Sequence, residues 1–273
     1  MKKYDIQTLE LQIKRLLDSY HCQYSVAIKW DGGFINIDAS AQRVAASLIK
    51  IPILFEAYRQ YQKGIIDINV PIQLTDEEKV GGAGVLSHLT SQVQLTLKDL
   101  LTLMIIVSDN TATNMVIDRV GVTNINKLCQ QVGCTETKLE RRLMDFKAIE
   151  EGRNNYTSAR DMVVFLEQIL SGELLTEQSK KEIFKIMRAQ QFIDKLPSQI
   201  QQSEGDTYPI VANKTGELPG VEHDVAIIKL PHVDLTIAVL LTQLESNFEG
   251  KAIIGKIGKI VVEGFQEQFL SPL

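Results

Sequence analysis

The chain is organised around the stretch SLIKIPILF at residues 47–55. Its helical pattern continues to about Gln62, and Pro52 falls near the first turn, where a missing backbone amide costs little. On a helix, a spacing of three residues puts the hydroxyl of Ser47 and the amine of Lys50 on one face, within hydrogen-bonding reach. Isoleucines surround Lys50 and would favour its neutral amine, which can accept the proton of an attacking serine. The stretch therefore predicts a nucleophile beside its base.

Segments rich in β-branched or alternating residues on both sides of this helix predict an antiparallel sheet. An amphipathic helix at 5–20 precedes two strands, at 24–30 and 34–38, which are joined by the turn Asp31-Gly32-Gly33. Three more strands are predicted at 209–214, 224–229 and 233–241, followed by a last helix at about 249–267. The predicted fold class is α/β, more closely α+β, with about five antiparallel strands flanked by the N-terminal and C-terminal helices.

Helical periodicity dominates the segment between the two groups of strands. Beyond the helix at residue 47, helices are predicted at 97–107, 111–120, 122–132, 159–170 and 176–190, whereas 66–95 and 135–156 have no regular pattern. A linker at 196–207 leads back to the strands. The predicted domains are therefore a discontinuous α/β lobe at 1–45 and 206–273 and an all-helical lobe at 46–205.

Composition argues against several classes of function. The 273 residues carry a formal net charge of −5, which gives no basic surface for nucleic acid, and no apolar run is long enough to span a bilayer. Three cysteines form neither a disulfide framework nor a metal-ligand spacing, so no metal or other cofactor is expected. The first residues lack a signal-peptide pattern, which predicts a cytoplasmic location. We expect a monomer that acts on a small-molecule substrate.

Two further short motifs stand at junctions of the predicted elements. Ser108-Asp109-Asn110 interrupts the helical pattern between two helices, where it would serve equally well as a helix cap. Lys214-Thr215-Gly216 falls at the end of a predicted strand. There the lysine and threonine could hold an anionic group, and the glycine would let a substrate lie close against the strand. Each motif alone is common.

The three motifs together, in this order, carry a resemblance. Ser-x-x-Lys on a helix, Ser-x-Asn between helices and Lys-Thr-Gly on a returning strand are the signature set of class A β-lactamases and penicillin-binding proteins. The chain resembles this serine hydrolase family over essentially its whole length, and class A is the nearest branch. The resemblance implies two lobes with the active site in the cleft between them.

The resemblance also implies a role for each matching residue. Ser47 resembles the acylated nucleophile, Lys50 its proton partner, and Ser108 the hydroxyl that relays a proton to the leaving nitrogen. Substrate would be held by Asn110, Lys214, Thr215 and Gly216. The backbone amides of Ser47 and Glu217 would form the oxyanion hole.

The loop that should activate water for deacylation departs from the family pattern. Class A enzymes carry Glu-x-x-Leu-Asn there, whereas residues 142–155 read RLMDFKAIEEGRNN. Glu150 and Glu151 each precede an asparagine by four residues but lack the leucine, and Glu150 is taken as the catalytic candidate. Asp145 is a further possible carboxylate. Aligned from Arg142 instead, the position falls on or near Lys147, which cannot be that base.

Two more features bear on the substrate and the base. Glu217 directly follows the Lys-Thr-Gly motif, and its charge would disfavour an anionic substrate unless the side chain points away. The next strand contains no arginine to help hold a carboxylate. His223-Asp224 could be mistaken for part of a Ser-His-Asp triad, but Lys50 already fills the base role, so a structural histidine is expected.

The expected function is that of a class A-like serine β-lactamase, which hydrolyses the β-lactam amide through an acyl-enzyme at Ser47. Two alternatives share the acylation step. One is a cytoplasmic serine esterase or peptidase, or a penicillin-binding-protein-like acyltransferase. The other is a sensor or binding module that a β-lactam acylates permanently. The rate of deacylation separates them.

Overall fold

A computed structural model of the protein describes residues 6–201 and 208–270. Part of the predicted linker at 196–207 and the predicted lobe boundary at 206 lie outside the described residues. The helices are α1 Ile6–Leu17, α2 Lys50–Gln62, α3 Leu97–Ile106, α4 Asn110–Val120, α5 Val122–Gln131, α6 Phe146–Glu150, α7 Ala159–Leu170, α8 Glu177–Arg188 and α9 Asn247–Leu270. The strands are β1 Gln23–Trp30, β2 Gly33–Ile37, β3 Arg43–Val44, β4 Pro71–Gln73, β5 Gln94–Thr96, β6 Tyr156–Thr157, β7 Ile210–Leu218, β8 Val221–Lys229 and β9 Asp234–Thr242.

Five of the strands form one antiparallel sheet in the order β2-β1-β9-β8-β7. The predicted α/β class and five-stranded sheet are confirmed. Strand β7 is longer than the predicted 209–214, because its pairing with β8 continues to Leu218 opposite Val221. The motif Lys214-Thr215-Gly216 therefore lies within an edge strand and not at its end.

The two terminal helices cover one face of this sheet, as predicted. Buried residues of α1, such as Leu9 and Ile13, share a hydrophobic core with Ile253 and Ile257 of α9 and with the sheet. Trp30 at the end of β1 packs edge-on against Phe265 of α9, with ring centroids 5.2 Å apart. The alternation of apolar residues in β1 gives this core its sheet side.

The opposite face packs against the central helical segment, whose middle is α2. Helix α2 is buried on almost every side, as expected of a helix surrounded by others. The segment predicted as all-helical also contains the short ladder of β4 with β5, and its strand β6 pairs with β3, which lies just before the segment. Strands of two or three residues are too short to show a periodic pattern in the sequence. Among the described residues, no helix is long and apolar enough to cross a membrane.

Candidate active site

Ser47 lies in a single 3₁₀ turn, Ala46–Ile49, directly before α2. The predicted α-helix thus begins at Lys50 and not at Ser47. Because a 3₁₀ helix has three residues per turn, positions 47 and 50 still lie one above the other. Ser47 Oγ and Lys50 Nζ are 3.0 Å apart, so the structure brings the predicted pair together.

Lys50 is wholly buried among oxygen atoms. Besides Ser47 Oγ, its Nζ contacts the Ser108 carbonyl oxygen at 2.7 Å, Ser108 Oγ at 2.9 Å and Asn110 Oδ1 at 3.0 Å. Burial lowers the pKa of Lys50 to about 7, although the negative charge of Asp109 partly opposes this. A neutral amine donates two hydrogen bonds, and the carbonyl and amide oxygens can take both. Its lone pair is then left to accept a proton from a hydroxyl.

Ser108 connects this lysine to a second one. Its hydroxyl lies 2.9 Å from Lys50 Nζ and 3.1 Å from Lys214 Nζ, and Lys214 also donates to the Thr215 carbonyl oxygen at 2.8 Å. Lys214 is fully buried, and burial together with the charges of Lys50 and Lys195 holds its pKa well below the usual value. A continuous chain of polar contacts therefore runs from Ser47 through Lys50 and Ser108 to Lys214.

The residues after Ser108 tie the glycine-rich loop to the site. Asp109 caps α4 by accepting from Ala112 N, and its other oxygen accepts from the amides of Val85 and Leu86. The helix-cap interpretation is thus right for Asp109. A Cβ at Gly84, where φ is +114°, would lie only 2.3 Å from that carboxyl group. The close approach requires glycine at this position.

Asn110 supports Lys50 with one end of its amide and donates to the Gly81 carbonyl oxygen at 3.2 Å with the other. Both ends of the side chain are therefore used within the protein. Asn110 is absent from the described residues that line the neighbouring cavity. Its role as a ligand for substrate stays a prediction.

A cavity of about 510 Å³ opens beside Ser47. It is lined by Ser47, Ala83, Ser108, Phe192, Asp194, Lys195, Thr215, Glu217 and Lys251. Thr215 and Glu217 come from edge strand β7, and Lys251 comes from α9. The cavity is large enough for a small molecule.

Gly216 lets strand β7 approach the Ser47 turn closely. A Cβ at this position would lie 3.3 Å from the Cβ atoms of both Ala46 and His223, and 3.4 Å from Leu48 Cγ. These distances are tighter than most real Cβ contacts. A side chain at this position would force these neighbours to shift by a few tenths of an ångström, so the packing of the protein itself favours the glycine of the third motif.

The charge of Glu217 is balanced by lysines at the cavity wall. Its Oε2 lies 3.1 Å from Lys251 Nζ and 4.0 Å from Lys195 Nζ, and Lys251 also pairs with Asp194 at 3.0 Å. Sequence reasoning missed Asp194, Lys195 and Lys251, because none belongs to a motif and only the fold brings them to β7. The two lysines reduce the repulsion that Glu217 would exert on an anionic ligand, whereas Asp194 adds a second negative charge to the cavity wall.

Glu150 is not among the described residues that line the cavity beside Ser47, and its role as the catalytic carboxylate stays a prediction. Glu150 is exposed at the end of α6, whose buried residue is Ala148. Asp145 caps the same helix by accepting from Ala148 N at 3.0 Å, and Glu151 pairs with Arg153. Among the residues that the structure describes, the carboxylates that line the cavity come instead from the Asp194 and Glu217 side.

Two asparagines hold the loop at 142–155, which carries Asp145, Glu150 and Glu151. Asn114 donates to the Leu143 carbonyl oxygen at 3.0 Å and accepts from the Leu143 amide at 2.8 Å. Asn155 accepts from the amides of Glu140 and Arg141. The loop is thus fixed by backbone contacts at both of its ends.

His223 is buried and structural, as expected. Its Nε2 lies 3.0 Å from the Val44 carbonyl oxygen, and burial lowers its pKa to about 4. Its neighbour Asp224 accepts from Asn213 Nδ2 and Leu196 N. Within the described part of the chain, no group of three or more histidine, cysteine and acidic side chains could hold a metal ion.

Comparison with known proteins identifies the family. The sequence pattern of the Beta-lactamase enzyme family matches residues 8–265. The chain belongs to this family. Two curated β-lactamases are similar to the chain at low sequence identity. The β-lactamase of Bacillus licheniformis is 26% identical over 208 residues, which are 74% of this chain and 66% of the relative. A β-lactamase of Aeromonas hydrophila is 28% identical over 159 residues, 56% of this chain and 51% of the relative. The chain thus spans about half to two thirds of their lengths.

Two solved structures match the fold over nearly the whole chain. The β-lactamase of Sphaerobacter thermophilus has a TM-score of 0.89 and 27% identity, and the match covers 98% of this chain and all of that one. The structure of PBP-A has a TM-score of 0.85 and 26% identity, with 95% of this chain and 96% of that one covered. Both matches support the architecture described above.

Proposed function

We propose that this protein is a serine β-lactamase that opens the β-lactam amide through an acyl-enzyme at Ser47. The observation that carries the proposal is the buried chain of contacts from Ser47 through Lys50 and Ser108 to Lys214, beside a cavity of suitable size. Family membership and the names of the relatives support the same activity.

In acylation, Ser47, Lys50 and Ser108 act in the order in which their side chains contact one another. The neutral Lys50 amine accepts the Ser47 proton while Oγ attacks the lactam carbonyl carbon, and the carbon–nitrogen bond then breaks. Ser108, bonded to both lysines, passes a proton to the departing nitrogen. The backbone amides of Ser47 and Glu217 would stabilise the negative oxygen, each donor contributing about 3–4 kcal/mol. Thr215 and Lys214 would hold the carboxylate of the substrate.

Water completes the reaction by hydrolysing the Ser47 ester, which releases the ring-opened acid and restores the serine hydroxyl. No carboxylate of the described loop 142–155 is among the residues that line the cavity, which favours a weakly activated water. We therefore expect deacylation to be slower than acylation. The product should appear in an initial burst of about one equivalent, followed by a slower steady rate.

The test is a time course of intact-protein mass and β-lactam absorbance after mixing with benzylpenicillin. We expect an adduct of one penicillin that forms and then decays while many equivalents are hydrolysed. Ser47→Ala should abolish both signals, and Ser246→Ala, outside the site, should change neither. An adduct that never decays would instead indicate a penicillin-binding type of protein. No adduct and no turnover would contradict the proposal.

A Lys251→Ala variant is expected to raise KM for benzylpenicillin by roughly two- to fivefold with little change in kcat. The substitution leaves the Glu217 and Asp194 carboxylates without their shared counter-ion at the cavity wall. The difference should shrink at high salt, because the charges are partly exposed and screened. Steady-state kinetics at low and high ionic strength measure the change in KM, and Lys259→Ala on the same helix is the control. An unchanged KM at low salt would show that these charges do not act on the substrate.

A further inference from the structure

His223 occupies a position between the two parts of the active site. It lies in β8 directly opposite Gly216 of β7, and its side chain is fully buried. Its Nε2 is 3.0 Å from the Val44 carbonyl oxygen. Its Nδ1 is 3.2 Å from Leu241 N and 2.8 Å from the Glu222 carbonyl oxygen. None of these contacts involves a group of the proposed proton chain.

The contacts determine which nitrogen of the imidazole carries the proton. Burial lowers the pKa of His223 to about 4, so the ring is neutral at pH 7 and has one N–H. With the proton on Nε2, the ring donates to Val44 and accepts from Leu241 N–H, and only the contact with Glu222 is unfavourable. With the proton on Nδ1, only the contact with Glu222 is satisfied. The Nε2–H form is therefore favoured.

The bond to Val44 fixes the chain just before the nucleophile. Val44 is followed by Ala45, whose amide donates to the Asn155 carbonyl oxygen at 2.8 Å, and by Ala46, whose φ is +46°. A residue other than glycine keeps such a conformation only where its surroundings impose it. The hydrogen bond from His223 to Val44 is one of those constraints, and Val44 lies three residues before Ser47.

The same histidine also contacts the strand on the other side of the site. The position of a Cβ on Gly216 would be 3.3 Å from His223 Cβ, 3.3 Å from Ala46 Cβ and 3.4 Å from Leu48 Cγ. The histidine, the glycine and the Ser47 turn thus pack together. Their packing sets the separation between Ser47 and the segment Gly216–Glu217.

We infer that His223 is a positioning residue, which holds the Ser47 turn at the correct distance from strand β7 through its hydrogen bond to Val44. The inference rests on the proposed function, in which the amides of Ser47 and Glu217 bind the same substrate oxygen. His223 acts through the backbone and touches no reacting atom. Small displacements matter here, because a shift of about 1 Å in a catalytic arrangement can cost about a hundredfold in rate.

Two conservative variants separate this role from simple filling of space. The amide nitrogen of His223→Gln can reach the Nε2 position and donate to Val44, whereas His223→Asn replaces only the Nδ1 position. We expect His223→Asn to lower the maximal rate of acylation by benzylpenicillin about ten- to a hundredfold, with little change in the half-saturating concentration. His223→Gln should retain most of the wild-type rate.

Controls distinguish this inference from loss of fold and from the proposed function. His21→Asn, in the turn before β1, should have no effect, and thermal unfolding shows whether each variant is folded. Equal acylation rates for the Gln and Asn variants would overturn the inference. If benzylpenicillin does not acylate the wild-type protein, the proposed function fails. The inference about His223 is then tested by the rate at which a p-nitrophenyl phosphonate labels Ser47 in the same variants.

A spectroscopic measurement on the wild-type protein tests the inference without depending on whether the variants fold. Nitrogen NMR of histidine-labelled protein reports which imidazole nitrogen carries the proton. We expect the neutral Nε2–H form for His223. An Nδ1–H form would remove the bond to Val44 and would overturn the inference whatever the kinetics of the variants.

Discussion

A Lys50→Met variant is expected to form the Ser47 acyl-enzyme about a hundred to ten thousand times more slowly than the wild-type protein. The serine cannot attack efficiently unless its proton is removed, and Lys50 Nζ lies 3.0 Å from Ser47 Oγ. Methionine has a similar length and fills the buried space without a base. The single-turnover rate of adduct formation with benzylpenicillin, followed by intact-protein mass, measures the effect.

The same contact predicts the dependence of acylation on pH. The pKa of Lys50 is lowered to about 7 by burial, and the amine accepts a proton only in its neutral form. The acylation rate of the wild-type protein should therefore fall about tenfold per unit below pH 7 and level off above it. A carboxylate base with the ordinary pKa of about 4 would move this fall to much lower pH.

Lys50→Arg is the matched control for charge. Arginine keeps the positive charge but is not deprotonated in proteins, so this variant should be as slow as Lys50→Met. Thermal unfolding of both variants separates loss of the base from loss of the fold. Acylation of Lys50→Met within about threefold of the wild-type rate would assign the base to another group.

The parts of the site that the sequence predicts are those whose chemistry depends on short spacing. Ser47 and Lys50 are three residues apart, and the structure keeps their contact although the turn is 3₁₀ and not α-helical. The order of the motifs predicts that Ser108 and Lys214 belong to one site, and in the structure Lys214 Nζ lies 3.1 Å from Ser108 Oγ. The antiparallel sheet and its flanking helices follow from period-2 and period-3.6 patterns, which act over one element at a time.

The parts that the sequence does not predict depend on contacts between distant segments. Lys195 and Lys251 reach Glu217 from a loop and from α9, and no local pattern marks them. The spacing of Glu150 to an asparagine predicts the catalytic carboxylate, but in the structure Glu150 is exposed on the short α6, whose buried residue is Ala148. The spacing of residues cannot show which face of a single turn is buried.

Replacing Lys195 by methionine is expected to reduce the free energy of unfolding by about 3–5 kcal/mol. Lys195 forms an ion pair with Glu222, and their side chains are 1% and 0% exposed. Its Nζ also donates to the carbonyl oxygens of Gly216 at 2.9 Å and His223 at 3.2 Å. The variant leaves the Glu222 carboxylate buried without a counter-ion, and urea unfolding measures the loss.

The loss should depend on pH in a defined direction. Burial already raises the pKa of Glu222, and the charge of Lys195 opposes this. Without the lysine, the folded protein holds the Glu222 proton more tightly than the unfolded chain does. The stability of Lys195→Met should therefore fall, relative to the wild-type protein, as the pH rises above the already raised pKa that Glu222 has in the folded wild-type protein.

A second substitution tests whether the buried charge is the cause. Glu222→Gln in the Lys195→Met background removes the charge and keeps an oxygen for Asn247 Nδ2, which lies 2.8 Å from Glu222 Oε1. The double variant should regain most of the lost stability, because removing both charges of a buried pair is often nearly neutral. Lys256→Met on the surface of α9 should change stability by no more than about 0.5 kcal/mol. A double variant as unstable as Lys195→Met would mean that the hydrogen bonds to Gly216 and His223, and not the ion pair, stabilise strand β7 beneath the active site.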